Sequence, residues 1–560
     1  MRKPRFAWPL GLAVAFSVAM VAAGCGGGGS SSSNTTNGNT STGTAGTASG
    51  GTLRIAEGSE PPSLDPGLAT DTTSAFVVSN INTPIVRLGP APDLKPQPAL
   101  AQTWDVAGKS VTLHLRNDVN WTDGTPVTAD DVVYSWLRTI SPELGADYAY
   151  QFYGIVGAQE YNSCKPSAAN QQCGSLKNKV GITAPDKQTV KITLTSPQPW
   201  FVQQMSHTSF IPVNKAAVEK WGDKWTEPSH IVTDGPFKLT QWKHDASLTL
   251  TKNPDWFDAS RVKLDKVTMP FIPEGATAEQ SFNSGNVDVN ATGWPPSDTA
   301  NIKGQPTYQQ FPSLGIYYYG FNVKKITDPN QRKAMALAID RKAIVEHITQ
   351  TGQVPAKAFT PDGIPGSDTI NGESTLLADD GTADMAQAQK YMDKVSSPVK
   401  DVTLIFNNAP GHKEIATAVQ ANWKKLGLNV TLKQQDWPQF LQFLGPPPNP
   451  TVGAFRMGWI ADFPDDINFL SVFQCGSGNN YTNWCNKKFD DLLKQATAEQ
   501  DQTKRYDLYK QAEALLTSPS GDMPIAPIYW YTFAYQVAEN VHGWNDSPMS
   551  DIDLTKVSIG

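Results

Sequence analysis

The chain has 560 residues, 39% of them hydrophobic and 18% charged, with 46 Lys+Arg against 53 Asp+Glu. That length exceeds one hydrophobic core, so two or three domains are expected, and the apolar content excludes disorder over most of it. The only charges in residues 1–51 are Arg2, Lys3 and Arg5, so the remainder carries −10, which argues against sequence-independent nucleic-acid binding and against adsorption of the folded part to an anionic membrane.

The chain opens on those three basic residues, followed by an uncharged apolar run from Phe6 to Ala23. This is the pattern of a secretory signal over 1–24. Pro9 interrupts the run and no basic stop follows it, which disfavours a transmembrane anchor. Its end, Val21-Ala22-Ala23-Gly24-Cys25, resembles a bacterial lipobox, in which the Cys receives lipid and becomes the mature N-terminus. Ala22 departs from the Leu more often found there. Residues 26–51 contain only Gly, Ser, Thr, Asn and Ala, so 25–51 reads as a lipidated Cys25 on a flexible leash with a reach of about 25–30 Å. A tethered body on the outer face of a bacterial membrane has no access to cytosolic cofactors, and none is expected.

The first half of the body carries period-2 segments. Ser110–Arg116 and Gln188–Ser196 alternate apolar and polar residues as half-buried strands do. Between them Thr128 and Asp131 form a capping signature before a face of Val132, Val133, Trp136, Leu137 and Ile140. Cys164 and Cys173 close a short polar loop. Phe237–Lys243 and Ser247–Lys252 predict a hairpin, and Leu264–Ile272 a further strand. After about residue 316 the grammar changes. Asp328-Pro329 starts a helix with Met335, Leu337 and Ala338 on its apolar face, and Asp340 opens another that is expected to end at Gly352. Val402–Asn407, Gly411–Leu426 closed by Gly427, and Leu428–Lys433 form a βαβ unit, hence a parallel pair with a right-handed crossover. Helices are expected over Lys487–Thr497 and Gln502–Thr517, and a strand over Pro524–Tyr531. Cys475 and Cys485 make a second close pair. In an oxidising compartment both pairs read as local disulfides; neither has zinc-ligand spacing.

Residues 98–138, PALAQTWDVAGKSVTLHLRNDVNWTDGTPVTADDVVYSWLR, followed by TDGPFKLTQW at 233–242, YYYGFNV at 317–323 and RKAMALAIDR at 332–341, resemble landmarks of the family 5 extracellular solute-binding proteins of ABC importers, in the family order. The resemblance runs from about Thr52 to Gly560. It implies an α/β, two-lobed periplasmic-binding-protein type II (Venus flytrap) fold with an extra subdomain inserted in lobe I. Carried over, lobe I is 52–90, 230–315 and 529–560, the extra subdomain 91–229, and lobe II 316–528. The chain then crosses between lobes near Gly315–Asn322 and Ile528–Tyr531, and a ligand held between lobes favours closure.

Within the family, Arg456-Met457-Gly458-Trp459-Ile460-Ala461-Asp462-Phe463 is similar to the oligopeptide-binding members. The resemblance implies that Asp462 meets a peptide's α-amino group, that Arg456 serves its carboxylate and that Trp459 lines a side-chain pocket. Trp437, in QQDWPQFL, corresponds to a second pocket tryptophan, and Tyr148 and Tyr150 lie where a cleft tyrosine is expected. Charge-assisted bonds to both termini suit a free peptide, whose backbone adds like a strand. The same residues admit structural roles: Asp462 as a turn cap, Arg456 on a strand surface, the tryptophans and tyrosines as core, and Tyr317–Tyr319 as hinge packing. Phe463 replaces Tyr, Asp465-Asp466-Ile467-Asn468 replaces an Asp-Pro-x-Asn pattern, Ile460 stands where some relatives have Cys, and Asn82-Thr83-Pro84 replaces Glu-Gly-Leu.

No GxSxG elbow, HExxH or phosphate-binding loop is present. The seven histidines (His114, His207, His230, His244, His347, His412, His542) are scattered, and the acidic pairs are adjacent in sequence, so no enzyme or metal site is expected. The expected function is a lipid-anchored monomeric receptor that delivers short peptides to the permease of an ABC importer. The alternatives are the same role for an oligosaccharide, nickel chelate or haem, or a surface lipoprotein with chaperone or enzymatic activity.

Overall fold

The computed structural model describes residues 50–91, 94–165, 171–372, 375–445, 450–544 and 547–560. The signal segment, Cys25 and nearly all of the leash lie outside the described residues.

Among the described residues, eleven strands join one hydrogen-bonded sheet. One end is built from Asn429–Gln435, Asp401–Asn407 and Ala454–Ile460; the other from Thr52–Ala56, Lys266–Pro270, Ser247–Lys252 and Phe237–Lys243. Two long strands, Tyr308–Phe321 and Ile525–Val537, run antiparallel to each other through the middle and link the ends. Their ladder is interrupted between Pro312 and Ile316 and shifts again after Tyr317. Up to Pro312 the first strand pairs with Thr532–Gln536; beyond Gly315 it also pairs with Ala454–Ile460. In the interruption, Leu314 donates its N–H to Pro548 O (2.6 Å) and accepts from Ala461 N (2.8 Å). Residue 315 is a glycine because a Cβ there would lie 2.9 Å from both Ile460 Cγ1 and Trp459 O.

A separate antiparallel sheet orders Ala101–Ala107, Ser110–Leu115, Thr189–Thr193 and Ile182–Asp186. The helix Ala129–Thr139 covers it and starts at the expected capping box, Thr128 N donating to Asp131 Oδ2 at 2.9 Å. Trp136 is fully buried between Phe152 and Phe210 and gives its Nε1–H to Phe210 O (2.8 Å), so the largest apolar side chain on the helix leaves no unpaired donor.

The predicted hairpin and βαβ unit are present. Phe237–Lys243 pairs antiparallel with Ser247–Lys252, and Asp401–Asn407 pairs parallel with Asn429–Gln435 across the helix His412–Lys425. Gly411 and Gly427 flank that helix with φ of 81° and 78°, and Trp423 ties it to the neighbouring helix Pro329–Leu337 through Met335 O (2.8 Å). Two expectations change. The helix opened by Asp340 covers Arg341–Ile344, widens to a π-turn over Val345–Thr349 and closes on Gln350 with φ 58°, two residues before Gly352. The strand expected over Pro524–Tyr531 continues to Val537. Cys164–Cys173 and Cys475–Cys485 are disulfides with Cα–Cα distances of 5.7 and 4.7 Å.

Sequence landmarks have structural work. Arg332 spends its guanidinium on Ile326 O (2.7 Å), Thr327 O (3.0 Å), Asp522 O (2.6 Å) and Met523 O (3.1 Å), and Arg341 on Ala356 O (2.6 Å) and Ala378 O (3.0 Å). Asp234 accepts Thr83 N (2.9 Å), which fastens the chain at 83 to the start of the hairpin.

Candidate functional site

A cavity of about 410 Å³ lies between the two ends of the large sheet, with Tyr148 and residues 206–208 also on its wall. Asp462, just past the strand Ala454–Ile460, stands on its wall with its side chain 8% exposed. Its Oδ2 accepts Asn468 Nδ2 (2.7 Å) and Gln151 Nε2 (2.8 Å), and its Oδ1 accepts the Tyr148 hydroxyl (3.3 Å). His207 Nε2 lies 3.3 Å from Oδ1. His207 Nδ1 lies 2.9 Å from Ser209 Oγ and 3.3 Å from Ser209 N, so its Nε2 faces the carboxylate. Asn468 Oδ1 accepts both Asp462 N (3.0 Å) and Trp459 Nε1 (3.1 Å), so one amide sets the orientation of carboxylate and indole together. Burial, followed by the Asp462 charge, pushes the Tyr148 hydroxyl far up, so it remains a neutral donor. No Lys or Arg pairs with Asp462 among the described residues.

Arg456 lies on the same strand. Its guanidinium donates to the Tyr531 hydroxyl (2.5 Å) and to Asn407 Oδ1 (3.4 Å) and lies 4.7 Å over the Tyr317 ring. No carboxylate pairs with it among the described residues, and its buried Nε has no partner. His412 lies beside it on the cavity wall. Burial, then the Arg456 charge, holds this imidazole well below its usual range, and it is neutral. The cavity thus has an anion lacking a fixed cation at one place and a cation lacking a fixed anion at another. Burying either alone is costly, so each favours an opposite charge arriving with a ligand.

Trp459 and Trp437 both line the cavity. Trp437 begins the helix Trp437–Leu444, stacks on Phe440 at 5.7 Å and shares the cavity lining with Asp71. Among the described residues, no group of three or more His, Cys, Asp or Glu is placed to hold a metal, and no helix is long and apolar enough to cross a membrane.

The family model for bacterial extracellular solute-binding proteins, family 5, matches residues 95–481. The chain belongs to that family. It is similar to the dipeptide-binding protein DppE of Bacillus subtilis, with 33% identity over 99% of each chain, and to the oligopeptide-binding protein OppA of the same organism, with 34% identity over 88% of this chain and 90% of the relative. Its fold is similar to the murein tripeptide-binding protein MppA of Escherichia coli, with a TM-score of 0.82 and 28% identity over 91% of this chain and 98% of that one. Against MppA in its unliganded open form the TM-score is 0.60, over 92% of this chain and 99% of that one. The fold is therefore the two-lobed α/β type expected, and the chain is an extracytoplasmic solute-binding protein rather than an enzyme.

Of the side chains singled out in the sequence, Asp462, Arg456, Trp459, Trp437 and Tyr148 line the cavity of this solute-binding protein. Tyr150 is not on its wall; it stacks behind Tyr148, centroids 5.9 Å apart. Tyr318 reaches the wall, whereas Tyr317 supports Arg456 from beneath. Gln151, His207, Asn407, His412 and Tyr531 carry no sequence signal of this kind, and the fold alone assembles them.

The departures at 465–466 lie behind the cavity. Asp465 accepts the Tyr509 hydroxyl (3.1 Å), Asp466 takes the Thr360 hydroxyl, and Glu513 accepts Phe359 N (2.8 Å) and Thr517 Oγ1 (3.1 Å). Burial pushes Glu513 from 4.5 up to about 7 and raises Asp466 well above its usual range. A carboxyl with a raised folded pKa holds an extra proton in the native state. Its stabilising contribution is complete below the unfolded value and is lost as pH rises through the folded one. Glu57 and Asp234, raised to about 7, and Asp147, raised to about 6, act in the same direction. The thermal midpoint is expected to be higher at pH 5 than at pH 8, and Glu513→Gln should shrink that difference. A flat profile in the unaltered protein contradicts the buried-acid account.

Proposed function

We propose that this protein is a lipid-anchored receptor that captures short peptides between two lobes and delivers them to the permease of an ABC importer. Lobe I comprises 52–90, 230–315 and 529–560, the extra subdomain 91–229, and lobe II 316–528. The supporting observation is the pair of separated, uncompensated charges on one cavity wall, Asp462 and Arg456. A free peptide carries a cation at its start and an anion at its end. Six positions separate the two residues, at most about 20 Å at ~3.3 Å per residue, which suits an extended ligand of a few residues. Trp459 and Trp437 line the space open to the ligand's side chains. The relatives' names, dipeptide-binding and oligopeptide-binding, point the same way. Cys25 is the lipid attachment that holds the receptor beside its permease.

Native mass spectrometry of the protein extracted gently from its membrane tests the ligand class. A ladder of adducts that fragment as short peptides is expected. A single discrete non-peptidic adduct would falsify the peptide reading.

A further inference from the structure

The cavity is charged on one side beyond what two peptide termini require. Among the described residues, its lining holds five carboxylates, Glu57, Asp71, Asp462, Asp551 and Asp553, against two arginines, Arg87 and Arg456. Arg87 is bound to Asp553 at 3.0 Å. If Asp462 takes a ligand ammonium and Arg456 a ligand carboxylate, Glu57, Asp71 and Asp551 remain without a cation. The first two face one pocket. Glu57 follows the strand Thr52–Ala56, and its side chain accepts a long hydrogen bond from its neighbour Gly58 N (3.2 Å). Burial, with the Asp71 charge adding to it, pushes Glu57 up to about 7. Asp71 caps the helix Thr72–Ile81 through Ser74 N (3.1 Å) and Ser74 Oγ (2.7 Å) and lines the same cavity as Trp437. Leu441, one turn beyond Trp437 on its helix, also lines the cavity.

This combination is specific. An indole and a leucine supply apolar surface for methylenes, and two carboxylates line the same cavity. Lysine and arginine side chains have that construction, an apolar stem under a charged head. The tryptophan face also attracts a cation.

Resting on the peptide reading above, we propose that the pocket formed by Glu57, Asp71, Trp437 and Leu441 selects peptides carrying a lysine or arginine side chain at one fixed position.

The test is calorimetric titration of the whole protein with trialanine and with tripeptides in which one alanine, at each position in turn, becomes lysine, norleucine or glutamate. At one position lysine is expected to bind about tenfold more tightly than norleucine, with glutamate weakest. In Glu57→Gln and in Asp71→Asn, prepared separately, the lysine-to-norleucine ratio should fall below about twofold. Asparagine keeps the helix-capping oxygen, so the second variant holds the fold should the first disturb it. Equal affinity for lysine and norleucine at every position, while trialanine binds, overturns this inference and leaves the peptide reading intact. An unchanged ratio in both folded variants overturns it as well. Failure of every peptide to bind overturns both.

Discussion

Asp462→Asn is expected to weaken binding of a free tripeptide by about 100-fold, or roughly 3 kcal/mol, the scale for truncating one partner of a buried charge pair. The substitution preserves shape, removes the charge and turns one of the two accepting oxygens into a donor. The side chain is buried, and its protein partners are Tyr148, Gln151, Asn468 and His207. None of these is a lysine or arginine, so the ligand's ammonium is expected to make use of the negative charge. An N-acetylated tripeptide, already a poor ligand, should lose little more. Titration of both peptides against both proteins separates the charge effect from a general disturbance of the cavity, and the thermal midpoint checks the fold. A loss of less than about threefold for the free peptide contradicts the role assigned to Asp462.

The second large effect concerns stability rather than binding. Gly235→Ala should destabilise the protein by roughly 3 kcal/mol. A Cβ at this position would lie 2.3 Å from Asn82 N and Ile81 C and 2.5 Å from Ile81 O. These are main-chain atoms at the end of the helix Thr72–Ile81, so no side chain can swing aside. The contact is held from both sides: Gly235 N donates to Ile81 O (2.9 Å), and Asp234 holds Thr83 N. Relief of the clash therefore breaks the bonds that join the helix end to the hairpin. A denaturant midpoint indistinguishable from that of the unaltered protein contradicts this account.

Both predictions draw on words that are visible in the sequence, TDGPF and RMGWIAD, yet their physical content differs in legibility. Local alternation and turn chemistry were enough for the hairpin 237–252 and the parallel pair 401–435, because each is decided within a few tens of residues. The cavity wall from Arg456 to Asp462 was legible as a motif. Its donors were not. Gln151 and His207 lie some 300 and 250 positions away in the chain, and neither glutamine nor histidine signals its partner locally. Tyr148 and Tyr150 illustrate a finer limit. They are two apart, and in a strand they would share a face. The segment Asp147–Phe152 is a 3₁₀ turn, where the alternation of a strand does not hold, so Tyr148 faces the cavity and Tyr150 stacks behind it. The helix after Asp340 misled for a related reason. Gly352 is the obvious terminator by preference, but Gln350 takes the left-handed conformation first.

The broken ladder between Pro312 and Ile316 has a mechanical consequence. A two-stranded ribbon resists stretching and sliding through its cross-links but bends readily where those links are missing. Here the missing links sit at the point where the first strand acquires a second partner. Rotation about that line leaves the paired stretches on either side whole. The two halves are expected to swing apart and return about this line without dissolving either paired stretch. Repeatability of the motion is thus a property of two strands and their one gap, and the walls of the cavity are free to vary in chemistry without altering the path along which they meet.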